Sequence, residues 1–385
     1  MSSKIETRCI HGDVDSSLRD EHRAISYPIY QTASFSHIKT GHNDSGFDYS
    51  RESNPTRQRL EEIVTSLEGA DGTTAFSSGM TAISVCFELF SPGDNIVCSE
   101  DLYGGTIRLH NLISAKNGLS VDYVDTTDLQ ATEAAIRPNT KAIYVETPSN
   151  PMMNITDLRG CAKLAGEHGL LLIADNTFLS PYFQNPLSLG ADIVIHSGSK
   201  FLAGHNDTIA GFLCTKDPML TTKIRLLSKT TGGVLAPFDS WLVMRGIKTL
   251  AVRMERQQEN AVRIAEWLLD RPQVTKVFYP GLKTHPGYDI NMRQSSGFGS
   301  MISFHVDSKE TALRILQKVR LVTFAESLGG TESLITYPAI QTHPDVPKEK
   351  REHLGITETL LRLSVGLENA DDIIADLEQA FEELK

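Results

Sequence analysis

Between about residues 70 and 215 the chain alternates short, uninterrupted apolar runs with stretches of helical period, and this restricts the fold more than any other feature. The runs are DNIVCSE, VDYVD, KAIYVET, LLLIADNT, ADIVIHS and GFLCT. Helix-like stretches such as Thr81–Phe90, Arg108–Lys116 and Leu158–His168 separate most of them. A strand with one wet face alternates in polarity, so an unbroken apolar run belongs to a strand covered on both faces. Parallel neighbours need a crossover, usually a helix, so the alternation predicts an α/β protein with a mostly parallel sheet. In such sheets ligands collect beyond the carboxyl ends of the strands. Chemistry is therefore expected in the residues that follow each run.

The flanks read differently. Residues 1–55 are polar, with Gly, Pro, Asn and Asp and little periodicity, and are expected to form an irregular arm. Pro55 suits the first position of a helix in which Leu60, Ile63, Val64 and Leu67 recur at helical spacing before a stop at Gly69. After Pro237 a long helical stretch to about residue 270 carries Trp241, Leu242, Met244, Leu250, Met254 and Ala261. It leads to a smaller α+β domain, with GSMISFHV as a strand. A final helix is expected over Asp371–Leu384, turning Ile374, Leu377, Phe381 and Leu384 inward. The predicted division is an arm over 1–55, an α/β domain over 56–240, and a linker helix with an α+β domain over 241–385.

Charge narrows the partners. With 37 basic against 48 acidic residues the chain carries −11, which disfavours nucleic acid or an anionic membrane as main partner. An anionic small ligand stays open, because a pocket can be basic on an acidic protein. Cys9, Cys86, Cys98, Cys161 and Cys214 are far apart with no C-x-x-C, so neither disulfides nor a metal site is expected and a reducing cytoplasm fits. MSSKIETRCIHGD has no apolar core of a signal peptide, and no run is long enough to span a membrane.

Four places along the chain carry chemistry. Ala191-Asp-Ile-Val-Ile-His-Ser-Gly-Ser-Lys200 finishes an apolar run with Ser197, Ser199 and Lys200. A lysine there is either a surface residue after an edge strand or an amine whose pKa burial lowers for Schiff-base chemistry. The run Leu171-Leu-Ile-Ala-Asp175 ends in a carboxylate that is costly to bury alone. It is either an N-cap or the partner of a protonated pyridine nitrogen. Asp and Lys on neighbouring strands together point to pyridoxal 5'-phosphate (PLP). Phe76-Ser-Ser-Gly79-Met80 opens a helix whose first amides suit a phosphate. Tyr103, after the run ending at Cys98, is either a half-buried core residue or a ring that stacks on a cofactor.

The ordered motifs extend the case. They are Tyr49-x-Arg51-x-x-x-Pro55-Thr56, Ser78-Gly-Met, Asp101-x-Tyr103-Gly-Gly-Thr, Glu146-Thr-Pro-Ser-Asn150-Pro, Asp175-Asn-Thr and His196-Ser-Gly-Ser-Lys200. Further on come Gly204-His-Asn-Asp207, Glu326-Ser-Leu-Gly-Gly and Arg362-Leu-Ser-Val-Gly-Leu-Glu368. From the arm to the last helix the chain resembles the Cys/Met-metabolism, or transsulfuration, family of PLP-dependent enzymes. The resemblance implies an aspartate-aminotransferase-like (type I) fold. It implies Lys200 as Schiff-base lysine and proton shuttle, Asp175 on the pyridinium and Tyr103 stacking. Gly79, Met80, Ser197 and Ser199 would hold the phosphate, and Asn150 the ring hydroxyl. Tyr49 and Arg51 would reach the phosphate of a neighbouring subunit in a homo-oligomer, expected to be a tetramer. Arg362 and Ser327 would orient the carboxylate of a small amino-acid substrate; Glu326 would repel or capture a distal group, and Arg108 resembles the arginine that meets a distal carboxylate in γ-synthases. For Arg51 and Arg362 the plain alternative is an exposed ion pair.

Departures bear on the reaction. Gly198-Ser199 stands where relatives commonly carry Ala-Thr, and the hydroxyl is kept. Gly105 stands where methionine γ-lyases carry cysteine, which disfavours methionine as main substrate. Asn206 is often Ser in lyases. Pro237-Phe-Asp-Ser-Trp and Ile335-Thr-Tyr-Pro-Ala-x-Gln-Thr-His look most like bacterial γ-synthases. The leading expectation is cystathionine γ-synthesis from an O-acyl-L-homoserine and cysteine. The alternative is β- or γ-cleavage of cystathionine. Arg108 is either the receiver of a distal carboxylate or an exposed helical arginine.

Overall fold

A computed structural model describes residues 3–13, 20, 22–40, 43, 45–344 and 346–382. Its central sheet contains seven strands: β1 (Gly72–Phe76), β2 (Asn95–Ser99), β3 (Ser120–Val124), β4 (Thr140–Glu146), β5 (Leu171–Asp175), β6 (Ile193–Ser197) and β7 (Gly211–Thr215), in the order β1-β7-β6-β5-β4-β2-β3. The neighbours from β6 through β5, β4 and β2 to β3 are parallel, and β7 runs antiparallel to both of its partners. Successive residues of the inner strands enter different hydrophobic clusters: Ile143, Val145, Leu172, Ala174 and Val194 on one side, Ala142, Tyr144, Ile173, Ile193 and Ile195 on the other. This is why their sequences show no alternation. β3 departs from the expectation. It is an edge strand, and all of its residues are only partly buried. β1, reading GTTAF, was missed because its threonines give it no apolar signature.

A second sheet follows, made of β8 (Val274–Phe278), β9 (Met301–Val306), β10 (Thr323–Phe324), β11 (Leu334–Thr336) and β12 (Leu360–Ser364), in the order β10-β11-β12-β9-β8. It packs through Ile302, Phe304, Leu361 and Leu363 against the helices Leu250–Leu269 and Ala370–Phe381. In the last helix Leu377 and Phe381 are buried and Ile374 packs against this core. Leu384 lies outside the described residues.

The helix Pro55–Glu68 starts as expected. Pro55 takes the first turn, Asn54 accepts from the amides of Thr56 and Arg57, and Gly69 closes it in the left-handed conformation. The stretch after Pro237 is two helices, Pro237–Ile247 and Leu250–Leu269. Between them the buried Arg253 donates to the Gly246 carbonyl at 2.9 Å and the Phe201 carbonyl at 2.8 Å. These bonds stabilise the break that the apolar pattern does not show. The stretch expected over Arg108–Lys116 is a helix Gly104–Leu109 followed by a π-helical turn, His110–Ser114. Among its described residues the arm contains one short helix, Ile5–His11, whose Cys9 is buried in the main core; seven residues are too few to show a period.

Candidate active site

The strand ends converge on one cavity of about 720 Å³. Gly79 and Met80 line it at the start of the helix Gly79–Phe87, where Ser78 accepts from the Thr81 amide as cap. First-turn amides lack acceptors inside a helix and suit an anion. β2 is followed by Tyr103, β4 by Asn150 and β6 by Ser199 and Lys200, all in the wall. Asp175 and Ser197 end β5 and β6 themselves and also line it. Glu326, Ser327 and Arg362 complete the wall from the second sheet and its loops.

The Lys200 amine donates to the Ser327 hydroxyl at 2.9 Å. Burial, then the positive charge of Arg362, pull its pKa down to about 8, against the opposing charge of Glu326. About a tenth of such an amine is neutral at pH 7. Ser327 adopts φ 97°, a costly backbone conformation for a non-glycine residue. With it, the Ser327 hydroxyl meets Lys200 while its carbonyl accepts from Arg362 Nη2 at 3.1 Å.

Arg362 is 1% exposed, which removes the alternative of a surface ion pair. Nη1 donates to Asn150 Oδ1 at 2.7 Å and Nη2 also to Thr336 Oγ1 at 3.2 Å. Nε is buried without a partner. Burial lowers the pKa to about 10, so the group stays cationic at neutral pH. A buried guanidinium with an N–H to spare, lining a cavity, calls for an anionic ligand.

Asp175 is buried, and its Oδ1 accepts from the Thr177 amide at 3.0 Å and hydroxyl at 2.6 Å. The local bond to Thr177 N–H is the cap-like contact of the plainer alternative. The carboxylate also lines the cavity, so the two readings are not exclusive. Glu146 stands opposite it in register on β4. Burial raises the pKa of both, and for Glu146 the charge of Asp175 adds to the rise. A cationic ring nitrogen at Asp175 would relieve that cost. Amides and Ser197 for a phosphate, a carboxylate for a pyridinium, a flat ring at Tyr103 and a partly neutral amine together fit PLP. The volume leaves room for an amino acid beside it.

Other expected residues lie differently. Ser199 Oγ is engaged with the Ala210 backbone, accepting its amide at 3.0 Å. Tyr49 and Arg51 do not line this cavity. Arg51 lies 5.4 Å from the Tyr49 ring centre and donates to the Lys229 carbonyl at 2.6 Å, both side chains on the surface. Arg108 is exposed on the helix Gly104–Leu109 and does not line the cavity, so the single chain does not bring it to the substrate pocket. Its charge is nonetheless felt at the Tyr103 hydroxyl, whose pKa rises chiefly through burial and Glu326. Gly105 has a steric role: a Cβ there would collide with the Tyr103 ring and come within 3.0 Å of the Met80 sulfur.

Sequence reasoning gave no role to Thr177 or Glu146. Thr177 Oγ1 also accepts the Ser197 amide at 2.9 Å, joining the ends of β5 and β6. The cost of a lone carboxylate at a strand end, applied to Asp175, identifies Glu146 as well.

The sequence model of the Cys/Met metabolism PLP-dependent enzymes matches residues 6–382. A cystathionine γ-synthase from Haemophilus influenzae is 50% identical over 94% of this chain and 94% of its own length. A cystathionine β-lyase from Lactococcus lactis subsp. cremoris is 45% identical over 99% of each. The crystal structure of a cystathionine γ-lyase from Lactobacillus plantarum, complexed with L-serine, superposes with a TM-score of 0.94 at 47% identity, covering 98% of both chains.

Proposed function

The chain belongs to the Cys/Met-metabolism family of PLP-dependent enzymes, and from that premise we propose that it joins cysteine to the γ-carbon of an O-acyl-L-homoserine, forming cystathionine. It is a PLP-dependent transsulfuration enzyme with the α/β fold of the cystathionine synthases and lyases. The observation that carries a reaction on amino acids is the pairing of Lys200, held at 2.9 Å on Ser327, with the buried and incompletely bonded Arg362 in one cavity. The second reading, cleavage of cystathionine, is favoured by the 45% identity to a β-lyase over nearly the whole length.

PLP, when bound, supplies an electron sink for negative charge developing at the substrate Cα. The residues do the rest. Gly79, Met80 and Ser197 would hold the phosphate, Asp175 would keep the pyridine nitrogen protonated, Tyr103 would stack on the ring and Asn150 would meet its hydroxyl, all of them lining the one cavity. Arg362 fixes the substrate carboxylate, which aims the Cα proton at the Lys200 amine. Lys200 takes that proton as general base; a second proton is then removed at Cβ, the acyloxy group leaves Cγ with its bonding pair, and the cysteine thiol adds at Cγ in its place, with protons returned at Cβ and Cα. Glu326 raises the Lys200 pKa against the pull of Arg362 and so helps to poise it.

A homo-oligomer, a tetramer built of dimers with shared active sites, is part of the proposal. Tyr49 and Arg51 form a surface pair, and exposed Ile25, Ile29 and Ile38 lie on the same arm. Arg108, whose charge is felt at the Tyr103 hydroxyl, is assigned to a distal substrate carboxylate. A cytoplasmic location fits five cysteines that are all buried and unpaired. Among the described residues no helix is long and apolar enough to cross a membrane. A substrate panel tests the reaction: cystathionine alone, O-acetyl- or O-succinylhomoserine with cysteine or sulfide, and methionine, with products identified. Cystathionine from acylhomoserine and cysteine is the expected result. Cleavage of cystathionine without that synthesis refutes the leading reading.

A further inference from the structure

The peptide group between Leu102 and Tyr103 is held at both ends by buried side chains from distant parts of the chain. Its N–H donates to Glu146 Oε2 at 3.0 Å. Its carbonyl oxygen lies 3.1 Å from His343 Nε2. Glu146 ends β4 of the large sheet, whereas His343 lies in the segment after β11 of the small one. Elements of both sheets therefore meet on a single amide.

The chemistry of the contact fixes the state of the imidazole. A carbonyl oxygen only accepts, so Nε2 carries the proton. Nδ1, 2.8 Å from Thr342 Oγ1, accepts from that hydroxyl. His343 is 1% exposed. Burial pushes its pKa down to about 4, so this neutral tautomer persists through the neutral range. A second observation concerns the backbone. A Cβ on Gly104 would collide with the Thr342 carbonyl and lie 3.3 Å from His343 Cα. The 342–343 segment thus rests directly on the turn that follows Tyr103, and Thr342 itself lines the cavity.

A peptide plane is rigid, so its rotation appears in the dihedrals on either side. Turning the Leu102–Tyr103 plane changes φ of Tyr103, here −48°, and swings the direction in which its ring projects. We infer that His343 is a positioning residue: by pinning this plane against Glu146 it sets where the Tyr103 ring stands over the cofactor and ties that placement to the small-sheet segment. The inference rests on Tyr103 as the stacking residue, and the test separates the two.

The full-length chain is titrated with PLP and the dissociation constant read from visible absorbance and circular dichroism, with kcat and KM measured beside it. Tyr103→Ala and His343→Leu are each expected to weaken cofactor binding by roughly 5- to 50-fold, the range of one lost stacking or hydrogen-bonding contact. In the Tyr103→Ala background, His343→Leu is expected to add less than about threefold, because coupled residues are not additive. His343→Gln, whose amide nitrogen reaches the place of Nε2, keeps near-normal affinity and dichroism. Equal losses from His343→Leu in both backgrounds, or none in the native one, overturn the inference. An unchanged constant for Tyr103→Ala removes the stacking assignment and this inference with it. Should His343→Leu fail to fold, His343→Gln against His343→Asn decides. The Asn nitrogen stops short of the Leu102 carbonyl, so Gln must exceed Asn in affinity, and equality refutes the role.

Discussion

Replacing Arg362 by lysine keeps a positive charge in the cavity but removes the planar fork. The arginine serves Asn150 Oδ1 at 2.7 Å, the Ser327 carbonyl at 3.1 Å and Thr336 Oγ1 at 3.2 Å, and still has Nε unpartnered. One ammonium cannot bridge these acceptors and also meet a substrate carboxylate in two-point fashion. Loss of one hydrogen bond between charged groups costs about 1.5–3 kcal/mol, or roughly 10- to 150-fold in affinity. The expectation is therefore a KM for the amino-acid substrate raised by about that factor, with kcat changed less than about tenfold. The assay is steady-state turnover over a wide substrate range, with the visible spectrum of bound PLP recorded for each preparation. Retained spectrum and raised KM support the carboxylate role. An unchanged KM with a lowered kcat would falsify it and leave Arg362 as a support for Asn150 alone.

Lys200→Ala should abolish turnover and the visible absorbance of the attached cofactor; a purified variant with full activity sinks the assignment. Asp175→Ala should lower kcat by about 10³-fold while the protein stays folded by circular dichroism, and a loss under tenfold rejects the pyridinium role. The rate of PLP capture by the chain should rise about tenfold per pH unit below pH 8 and level off above it, because the neutral Lys200 amine reacts and its pKa is about 8. Removing the nearby charge in Arg362→Leu should move that inflection upward, whereas a rate still climbing at pH 10 in the native chain contradicts the lowered pKa. Mixing inactive Arg51→Ala and Lys200→Ala chains should restore some activity through hybrid sites, and none, with subunit exchange demonstrated, counts against a shared site.

The large sheet was readable because its inner strands are covered on both faces. Burial on both sides leaves an unbroken apolar run, and the polar residue that ends it marks the functional edge, as with Asp175 and Lys200. The same logic failed at β1, whose threonines are buried without being apolar, and at the helix break near Lys248, which side-chain bonds from Arg253 help to hold. The sequence also could not show that Arg362 is buried with a donor to spare, since exposure is set by what packs around β12.

Local pattern by itself determined the class of fold, the strand ends that carry chemistry and, through the ordered motifs, the family and its cofactor. Those properties are written within a few residues of one another, in periodicity and in motif spacing. Distances between remote segments were decided only by the folded chain. It brought Ser327 to Lys200, Asn150 to Arg362, and His343 to the peptide before Tyr103. It also left Arg108 exposed and outside the lining of the cavity. Such pairings depend on how two sheets close upon each other, and no short stretch of sequence encodes that.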